Sequence, residues 1–131
     1  MIMKKLFAIM ATAILAASVY AGEFTDISMK DVKAAADARS AVIIDANGPG
    51  SYTSKGHVPT ALDFNAIKDN LAANLPKDKN ALIIAYCGNP ACGAYLRAAK
   101  AAQKLGYTNI RHMSDGIDGW KAANMPTEQS K

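Results

Sequence analysis

Residues 81–95 read ALIIAYCGNPACGAY, and this stretch decides how the remainder of the chain can fold. Its first six residues are apolar or aromatic, which is typical of a strand buried on both faces of a parallel sheet. Gly88, Asn89 and Pro90 end the strand in a loop, and the residues after Cys92 have the periodicity of a helix. The stretch therefore predicts a strand, a cysteine-containing loop and a helix in direct succession.

The helix after the loop has apolar residues on one face. Ala98, Ala101, Ala102 and Leu105 recur at helical spacing and are predicted to face the core. Gly106 follows directly and is predicted to end the helix, because glycine accepts the left-handed backbone of a helix terminus.

Strands and helices alternate on both sides of this stretch. Ser28 can cap a helix, with Asp31 three residues later, and an apolar run over 41–44 predicts a strand that ends at Asp45. The other predicted elements are a helical turn over 51–55 closed by Gly56, a helix over 65–74, a strand over 109–113 and a helix over 118–123. This order predicts an α/β domain with an open, mainly parallel sheet and helices on both faces.

The first residues of the chain indicate export. Lys4-Lys5 precedes an apolar run over 6–19, and Val19-Tyr20-Ala21 places small residues where a signal peptidase cleaves. The run is shorter than the roughly 20 residues of a bilayer span. We therefore predict a cleaved signal peptide over 1–21, a single domain over 22–131, a periplasmic location and no stable membrane association after cleavage.

The composition excludes several classes of function. The formal net charge is +4, and loss of Lys4 and Lys5 with the signal peptide would lower it to +2. Lysines and arginines are scattered rather than clustered, so the sequence predicts no nucleic-acid binding. Two cysteines are too few to staple a small fold, so the domain must be held by a hydrophobic core.

Cys87 stands where a sheet of this kind binds ligands, at the carboxyl end of a buried strand and before a helix. The amides of a tight loop and the amino end of a helix favour negative charge there. A thiol in such a place loses its proton more easily, and the thiolate is the nucleophile. Cys87 is therefore the candidate catalytic residue, with a buried and inert cysteine as the alternative.

Several stretches, taken in order, resemble the rhodanese family of small α/β sulfurtransferases, and together they span nearly all of residues 22–131. The stretches are Ile27-Ser28 with the helix that follows, Ala41-Val42-Ile43-Ile44-Asp45, Tyr52 with Gly56-His57-Val58-Pro59-Thr60-Ala61, Tyr86-Cys87, Gly106-Tyr107, and Asp115-Gly116-Ile117-Asp118-Gly119-Trp120. Each motif is weak alone, and the ordered set is specific.

The resemblance implies an activity as well as a fold. Cys87 would take a sulfane sulfur from a donor, hold it as a persulfide and pass it to a thiophilic acceptor. The anionic sulfur would be bound by the loop residues Gly88, Asn89, Ala91, Cys92 and Gly93. We also expect Asp45 and Arg97 to support the site. The implied partners are a small sulfur donor or a protein persulfide or thiol, and the implied chemistry needs no metal or organic cofactor.

Two departures from the family's motifs bear on the donor. The strand motif of the family continues Asp-x-Arg, whereas this chain reads Asp45-Ala46-Asn47. The loop after Cys87 has no charged side chain, and Cys92 occupies a position where the family often has Arg, Lys or Ser. Thiosulfate is a dianion, so we expect it to be a poor donor unless Arg97 or Lys55 reaches the loop.

Two other kinds of site are excluded by the residues. A phosphatase or arsenate reductase needs Cys-x5-Arg, and Gly93 stands at that arginine position. A zinc site is not predicted, because His57 and His112 are the only histidines and match no zinc spacing. We expect His57 to be a hydrogen-bonded structural residue.

Two alternative functions stay open. In an oxidising compartment Cys87 and Cys92 could form a disulfide, with Cys92 as the resolving cysteine of a thiol–disulfide or persulfide-reducing protein. Cys92 could equally be a small apolar residue in the first turn of the helix. The second alternative is a non-catalytic binding module. The sequence does not define the sulfur donor, the acceptor or the oligomeric state.

Overall fold

The computed structural model describes residues 24–129, and the predicted signal peptide over 1–21 lies outside this range. The elements in chain order are β1 (Thr25–Asp26), α1 (Met29–Ala38), β2 (Ala41–Asp45), α2 (Ser51–Ser54), β3 (Leu62–Asp63), α3 (Phe64–Ile67), a 3-10 segment (Lys68–Asn74), β4 (Leu82–Tyr86), α4 (Tyr95–Lys104), β5 (Ile110–His112) and α5 (Gly116–Ala122). Over 24–129, no helix combines the length and the apolar character that crossing a bilayer requires.

The five strands form one open sheet in the order β1-β5-β4-β2-β3. Every neighbouring pair is parallel, and a helix lies between each strand and the next along the chain. Parallel neighbours need such crossovers, because a tight turn joins antiparallel strands only. The predicted mainly parallel sheet is confirmed, and the parallel arrangement extends to all five strands.

Alternate residues of the central strand β4 build a core on each face of the sheet. Ile83 and Ala85 pack on the face covered by α3 and α4. Ile84 and Tyr86 point to the opposite face, which α1 and α5 cover. Because side chains alternate along a strand, a strand buried on both faces must be apolar throughout. The prediction of helices on both faces is confirmed.

The helix ends follow the predicted capping residues. The Ser28 hydroxyl accepts from the Asp31 amide at 3.1 Å at the start of α1. Gly106 adopts a left-handed φ of 100° after α4. The prediction that Leu105 faces the core is wrong, because its side chain is 37% exposed. The helix ends at Lys104, so helical spacing no longer applies there, and the buried Tyr107 fills the core after the turn.

Four elements differ from the sequence predictions. The edge strands β1 and β3 have two residues each and were not predicted, because so short a segment shows no alternation of polar and apolar side chains. The helix predicted over 65–74 is instead α3 followed by the 3-10 segment, with a break at Asn70, whose φ and ψ are −138° and 44°. The last helix starts at Gly116 rather than at residue 118.

A buried polar network joins the carboxyl ends of β2 and β4. Asp45 and Tyr86 are partners across these strands and are 1% and 0% exposed. The Tyr86 hydroxyl donates to Asp45 Oδ2 at 2.8 Å and accepts from the Val58 amide at 3.1 Å. Asp45 Oδ1 accepts from the amide and the side-chain nitrogen of Asn47 at 2.9 and 2.8 Å. Both carboxylate oxygens and the phenol are therefore hydrogen-bonded, as burial requires.

The protonation of this network follows from its burial. Burial raises the pKa of Asp45 above its usual value of 3.8, and hydrogen bonds from Asn47 and Tyr86 oppose the rise. Burial and the adjacent Asp45 charge raise the pKa of Tyr86 well above its usual value of 10.0. The phenol therefore keeps its proton and serves as the donor to the carboxylate.

The amino end of α5 is docked against the residues that follow β4. The amides of Ile117 and Asp118 donate to the carbonyls of Cys87 and Gly88, both at 2.9 Å. Gly116 has a φ of 67°, and a Cβ on it would lie 2.4 Å from the carbonyl carbon and oxygen of Gly88. This approach is closer than any side chain allows, so the helix can hold the loop only with glycine at position 116.

We expect Tyr86→Phe to destabilise the domain by about 1–3 kcal/mol at neutral pH, because Asp45 loses a donor and the buried Val58 amide loses its acceptor. A carboxyl whose pKa is raised by folding binds its proton more tightly in the folded state. Its contribution to stability therefore falls as pH rises from below 3.8 through the folded pKa. The substitution raises that pKa further, so the cost should grow with pH in urea unfolding curves.

Tyr107→Phe is the matched control for this measurement. Tyr107 is also buried, and its hydroxyl donates to the uncharged carbonyl of Pro76. The cost of this substitution should not vary with pH over the same range. If the loss of stability caused by Tyr86→Phe were equally independent of pH, the phenol would not control the ionisation of Asp45.

We expect Gly116→Ala to destabilise the domain by about 2 kcal/mol or more, because alanine is strained at a positive φ and its Cβ collides with the backbone of Gly88. Thermal unfolding followed by circular dichroism measures the effect. Gly48→Ala is the control, since no atom lies within 4 Å of the Cβ position there. Equal unfolding temperatures for the two variants would contradict the proposed close contact.

Candidate functional site

Cys87 lies at the carboxyl edge of the sheet, directly after the central strand. It follows Tyr86, the last residue of β4, and the Ala46 amide extends the strand ladder by donating to the Tyr86 carbonyl at 2.8 Å. The two strands that flank β4 end close by, β2 at Asp45 and β5 at His112. The backbone of Cys87 is therefore held by the strand ladder and, on the other side, by the amide of Ile117.

Cys87 and Cys92 are joined by a disulfide. Their Cα atoms are 6.3 Å apart, which is inside the range that disulfides span. Cys87 is 1% exposed, whereas Cys92 is partly exposed. The structure therefore shows the pair in its oxidised form, and Cys92 is the more exposed of the two residues.

The loop between the two cysteines is organised by Asn89. Its side-chain oxygen accepts from the Ala91 amide at 2.9 Å, and its carbonyl accepts from the Cys92 amide at 3.0 Å. Pro90 has no amide proton to offer. In this form the loop therefore differs from the expected anion-binding loop, because Asn89 closes a local turn that occupies the amides of residues 91 and 92.

Three amides of the loop have no hydrogen-bond acceptor among the described residues. Within residues 24–129, the backbone N–H groups of Gly88, Asn89 and Gly93 donate to no acceptor. Gly88 is buried beside Cys87, and Asn89 and Gly93 are exposed. Of the predicted anion-binding residues, these three are the ones whose amides are not already hydrogen-bonded within residues 24–129.

The two predicted supporting residues have separate roles. Asp45 lies under the loop, and both its oxygens are occupied by Tyr86 and Asn47, so it supports the strand ends and offers no group to a ligand. The Arg97 Nη2 donates to the carbonyl of Ala46 at 3.3 Å, and its guanidinium carbon lies 5.4 Å from the centre of the Phe64 ring. Arg97 reaches the same edge of the sheet, where it is engaged with β2.

Two polar side chains beside Gly88 were not predicted as part of the site. A Cβ on Gly88 would lie 3.6 Å from Asn47 Oδ1 and 3.9 Å from Asp118 Oδ2. The Asp118 carboxylate also pairs with Lys55 at 3.2 Å, and both side chains are about half exposed. The motif over 115–120 was evident in the sequence, but local spacing gives no sign that Asp118 faces a loop 30 residues earlier.

The histidines have structural surroundings. His57 is 3% exposed, its ring stacks on Tyr52 at 3.6 Å, and its Nδ1 lies 3.0 Å from the Tyr52 carbonyl oxygen, so the predicted structural role is confirmed. His112 stacks on Tyr95 at 3.4 Å. Burial lowers the pKa of His112 below 6.5, which the Asp26 carboxylate partly offsets. Across residues 24–129, no three His, Cys, Asp or Glu side chains gather into a metal-binding group.

Solved structures with the same fold include known sulfur-transfer proteins. The BH2092 protein of Bacillus halodurans is 25% identical with a TM-score of 0.68, over 80% of this chain and 77% of that one. The thiosulfate sulfurtransferase of Pseudomonas aeruginosa is 21% identical with a TM-score of 0.65, over 88% of this chain and 22% of that one. The polysulfide-sulfur transferase homodimer of Wolinella succinogenes is 17% identical with a TM-score of 0.63, over 98% and 93%.

The comparison at the sequence level identifies the family. Among curated protein sequences none matches this chain. The sequence model of the Rhodanese-like domain matches residues 28–123, which include the cysteine loop, the β2 and β4 strands and the start of α5. Since this match covers most of the chain, the protein belongs to the rhodanese-like domain family.

Proposed function

We propose that this chain is a sulfurtransferase that carries a sulfane sulfur as a persulfide on reduced Cys87. The observation that carries the proposal is the position of Cys87, buried at the end of the central strand and followed by the free amides of Gly88 and Asn89. Membership of the rhodanese-like family and the likeness to two named sulfur transferases support the same chemistry. Two successive amides next to a thiolate stabilise negative charge on sulfur.

The proposed reaction has two thiol-exchange steps. In the first, the Cys87 thiolate attacks the outer sulfur of a donor R–S–SH, the donor's S–S bond breaks, and R–S⁻ leaves. In the second, an acceptor thiolate attacks the outer sulfur of the persulfide, and the Cys87 thiolate is released. Each step replaces one S–S bond by another, so the cycle needs no external oxidant or reductant. The amides of Gly88 and Asn89 would stabilise the anionic sulfur in both steps.

The charges around the loop favour a donor with little negative charge. Asn47 stands where the family's motif has arginine, and its side chain caps Asp45. Arg97 is bound to the carbonyl of Ala46, and Lys55 is paired with Asp118. The loop therefore offers neutral amides, with a carboxylate beside Gly88. A persulfide or polysulfide donor suits this site better than the thiosulfate dianion.

We expect Cys87→Ser to abolish sulfur loading, because serine supplies no thiolate. Reduced protein is mixed with a persulfide donor, and intact mass records sulfur loading either as one added sulfur atom or as the Cys87–Cys92 disulfide that forms when Cys92 displaces that sulfur. Sulfur transfer should fall by roughly a thousandfold or more. Ala94→Ser is the control, since it makes a similar substitution near the loop and keeps both cysteines. Sulfur gained by a folded Cys87→Ser variant would overturn the assignment of the nucleophile.

We expect a higher kcat/KM with a persulfide donor than with thiosulfate. Asp118→Asn should reduce the difference in kcat/KM between the two donors. The substitution removes a carboxylate beside Gly88 and frees Lys55, so thiosulfate turnover should rise about two- to fivefold at low salt.

Asp37→Asn is the matched control for this effect. Asp37 forms an exposed ion pair with Lys33 at 2.8 Å on α1, on an element that contributes nothing to the loop. Asp37→Asn should leave the ratio of kcat/KM for the persulfide donor to kcat/KM for thiosulfate unchanged. A wild-type protein that prefers thiosulfate would show that a cationic side chain, with Arg97 the first candidate, reaches the sulfur.

A further inference from the structure

We propose that Cys92 is a resolving cysteine. It converts the Cys87 persulfide into the Cys87–Cys92 disulfide with release of sulfide, and a thiol reductant then reopens the disulfide by attacking Cys92. The inference rests on the proposed function, because it needs sulfur loaded on Cys87. It adds a second class of partner, a protein or small-molecule dithiol, and a second product, hydrogen sulfide.

The fold places the two sulfurs within bonding reach. The Cα atoms of Cys87 and Cys92 are 6.3 Å apart, so the bridge forms between the positions that the strand end and the loop already occupy. Cys92 is held there by its own amide, which donates to the Asn89 carbonyl at 3.0 Å. Helix α4 begins three residues later, at Tyr95. A thiolate of Cys92 is therefore presented to a persulfide on Cys87 as the nearest competing nucleophile.

The resolving step balances in atoms and electrons. The Cys92 thiol gives its proton to solvent, and its thiolate attacks Cys87 Sγ. A bond forms between the two cysteine sulfurs, the Sγ–S bond of the persulfide breaks, and HS⁻ leaves and takes up a proton. The two cysteine sulfurs supply the two electrons that reduce the sulfane sulfur to sulfide. The disulfide in the structure is the protein product of this step.

The difference in burial between the two cysteines determines which sulfur a reductant attacks. Cys87 is 1% exposed and Cys92 is partly exposed, so an incoming thiolate meets the sulfur of Cys92. Its attack forms a mixed disulfide on Cys92, and the Cys87 thiolate is the leaving group. The free amides of Gly88 and Asn89 stabilise that thiolate, which makes it the better leaving group. The second thiol of the reductant then releases Cys92 and becomes oxidised to a disulfide.

The first experiment follows sulfur and sulfide together in the purified chain. Reduced protein, freed of reductant, receives one equivalent of glutathione persulfide under exclusion of oxygen. Intact mass records the protein species, and a sulfide electrode records the released product. Wild type should lose two hydrogens and release one sulfide per chain. Cys92→Ser should keep one extra sulfur, with sulfide release reduced at least about tenfold.

Matched variants separate failure of this inference from failure of the proposed function. Ala94→Ser should behave as wild type, Cys92→Ala should repeat the result of Cys92→Ser, and circular dichroism reports the fold of each variant. A wild type that keeps the extra sulfur and releases no sulfide overturns the resolving role while the persulfide mechanism stands. Cys92 variants that are folded and gain no sulfur overturn both proposals.

The second experiment identifies the sulfur that a reductant attacks. Oxidised wild type is treated with glutathione in the presence of iodoacetamide, and the modified residues are located by peptide mass. Glutathione should be attached to Cys92 and the alkyl group to Cys87. Glutathione on Cys87 in the majority of molecules would refute the proposed direction of exchange.

Discussion

The hydrogen bond from the Tyr86 hydroxyl to the buried Asp45 carboxylate holds the two central strands together at the edge where Cys87 emerges. A carboxylate at 1% exposure is costly unless donors surround it, and Tyr86 and Asn47 supply those donors. Because Asp45 and Tyr86 are partners in register, the bond fixes where both strands end. Cys87 is the next residue, so the position of the thiol depends on a polar contact in the core below it.

Helix α5 fixes the same residues from the opposite side. Its first amides bind the carbonyls of Cys87 and Gly88, and Gly116 permits the contact because it has no side chain. The rest of the loop, up to Cys92, is held by hydrogen bonds within the loop itself. The site therefore combines a fixed cysteine with one on a locally held turn. This asymmetry suits thiol exchange, in which one sulfur keeps its place and the other changes partner.

Under the proposed function, the charges around the site favour a sulfur donor with little negative charge. The Arg97 guanidinium donates to the carbonyl of Ala46 and lies over the ring of Phe64. Lys55 forms an ion pair with Asp118. The proposed Cys87 thiolate would be left with backbone amides, which are dipoles and attract a dianion more weakly than a guanidinium does. Under the proposed function, selection among donors then rests on the reactivity of their sulfur more than on their charge.

The sequence by itself determined the parallel α/β class, the family, the capping of α1 by Ser28 and the place of Cys87 at a strand end. These features depend on periodicity and turn chemistry among neighbouring residues, which a linear pattern records. The tertiary structure alone decided the two-residue edge strands, the exposure of Leu105, the capture of two loop amides by Asn89 and the position of Asp118 beside Gly88. Strand pairing and the Asp118 contact join residues far apart in the chain, which periodicity cannot reveal. The exposure of Leu105 and the hydrogen bonds of Asn89 depend on how a short local segment packs against the rest of the fold.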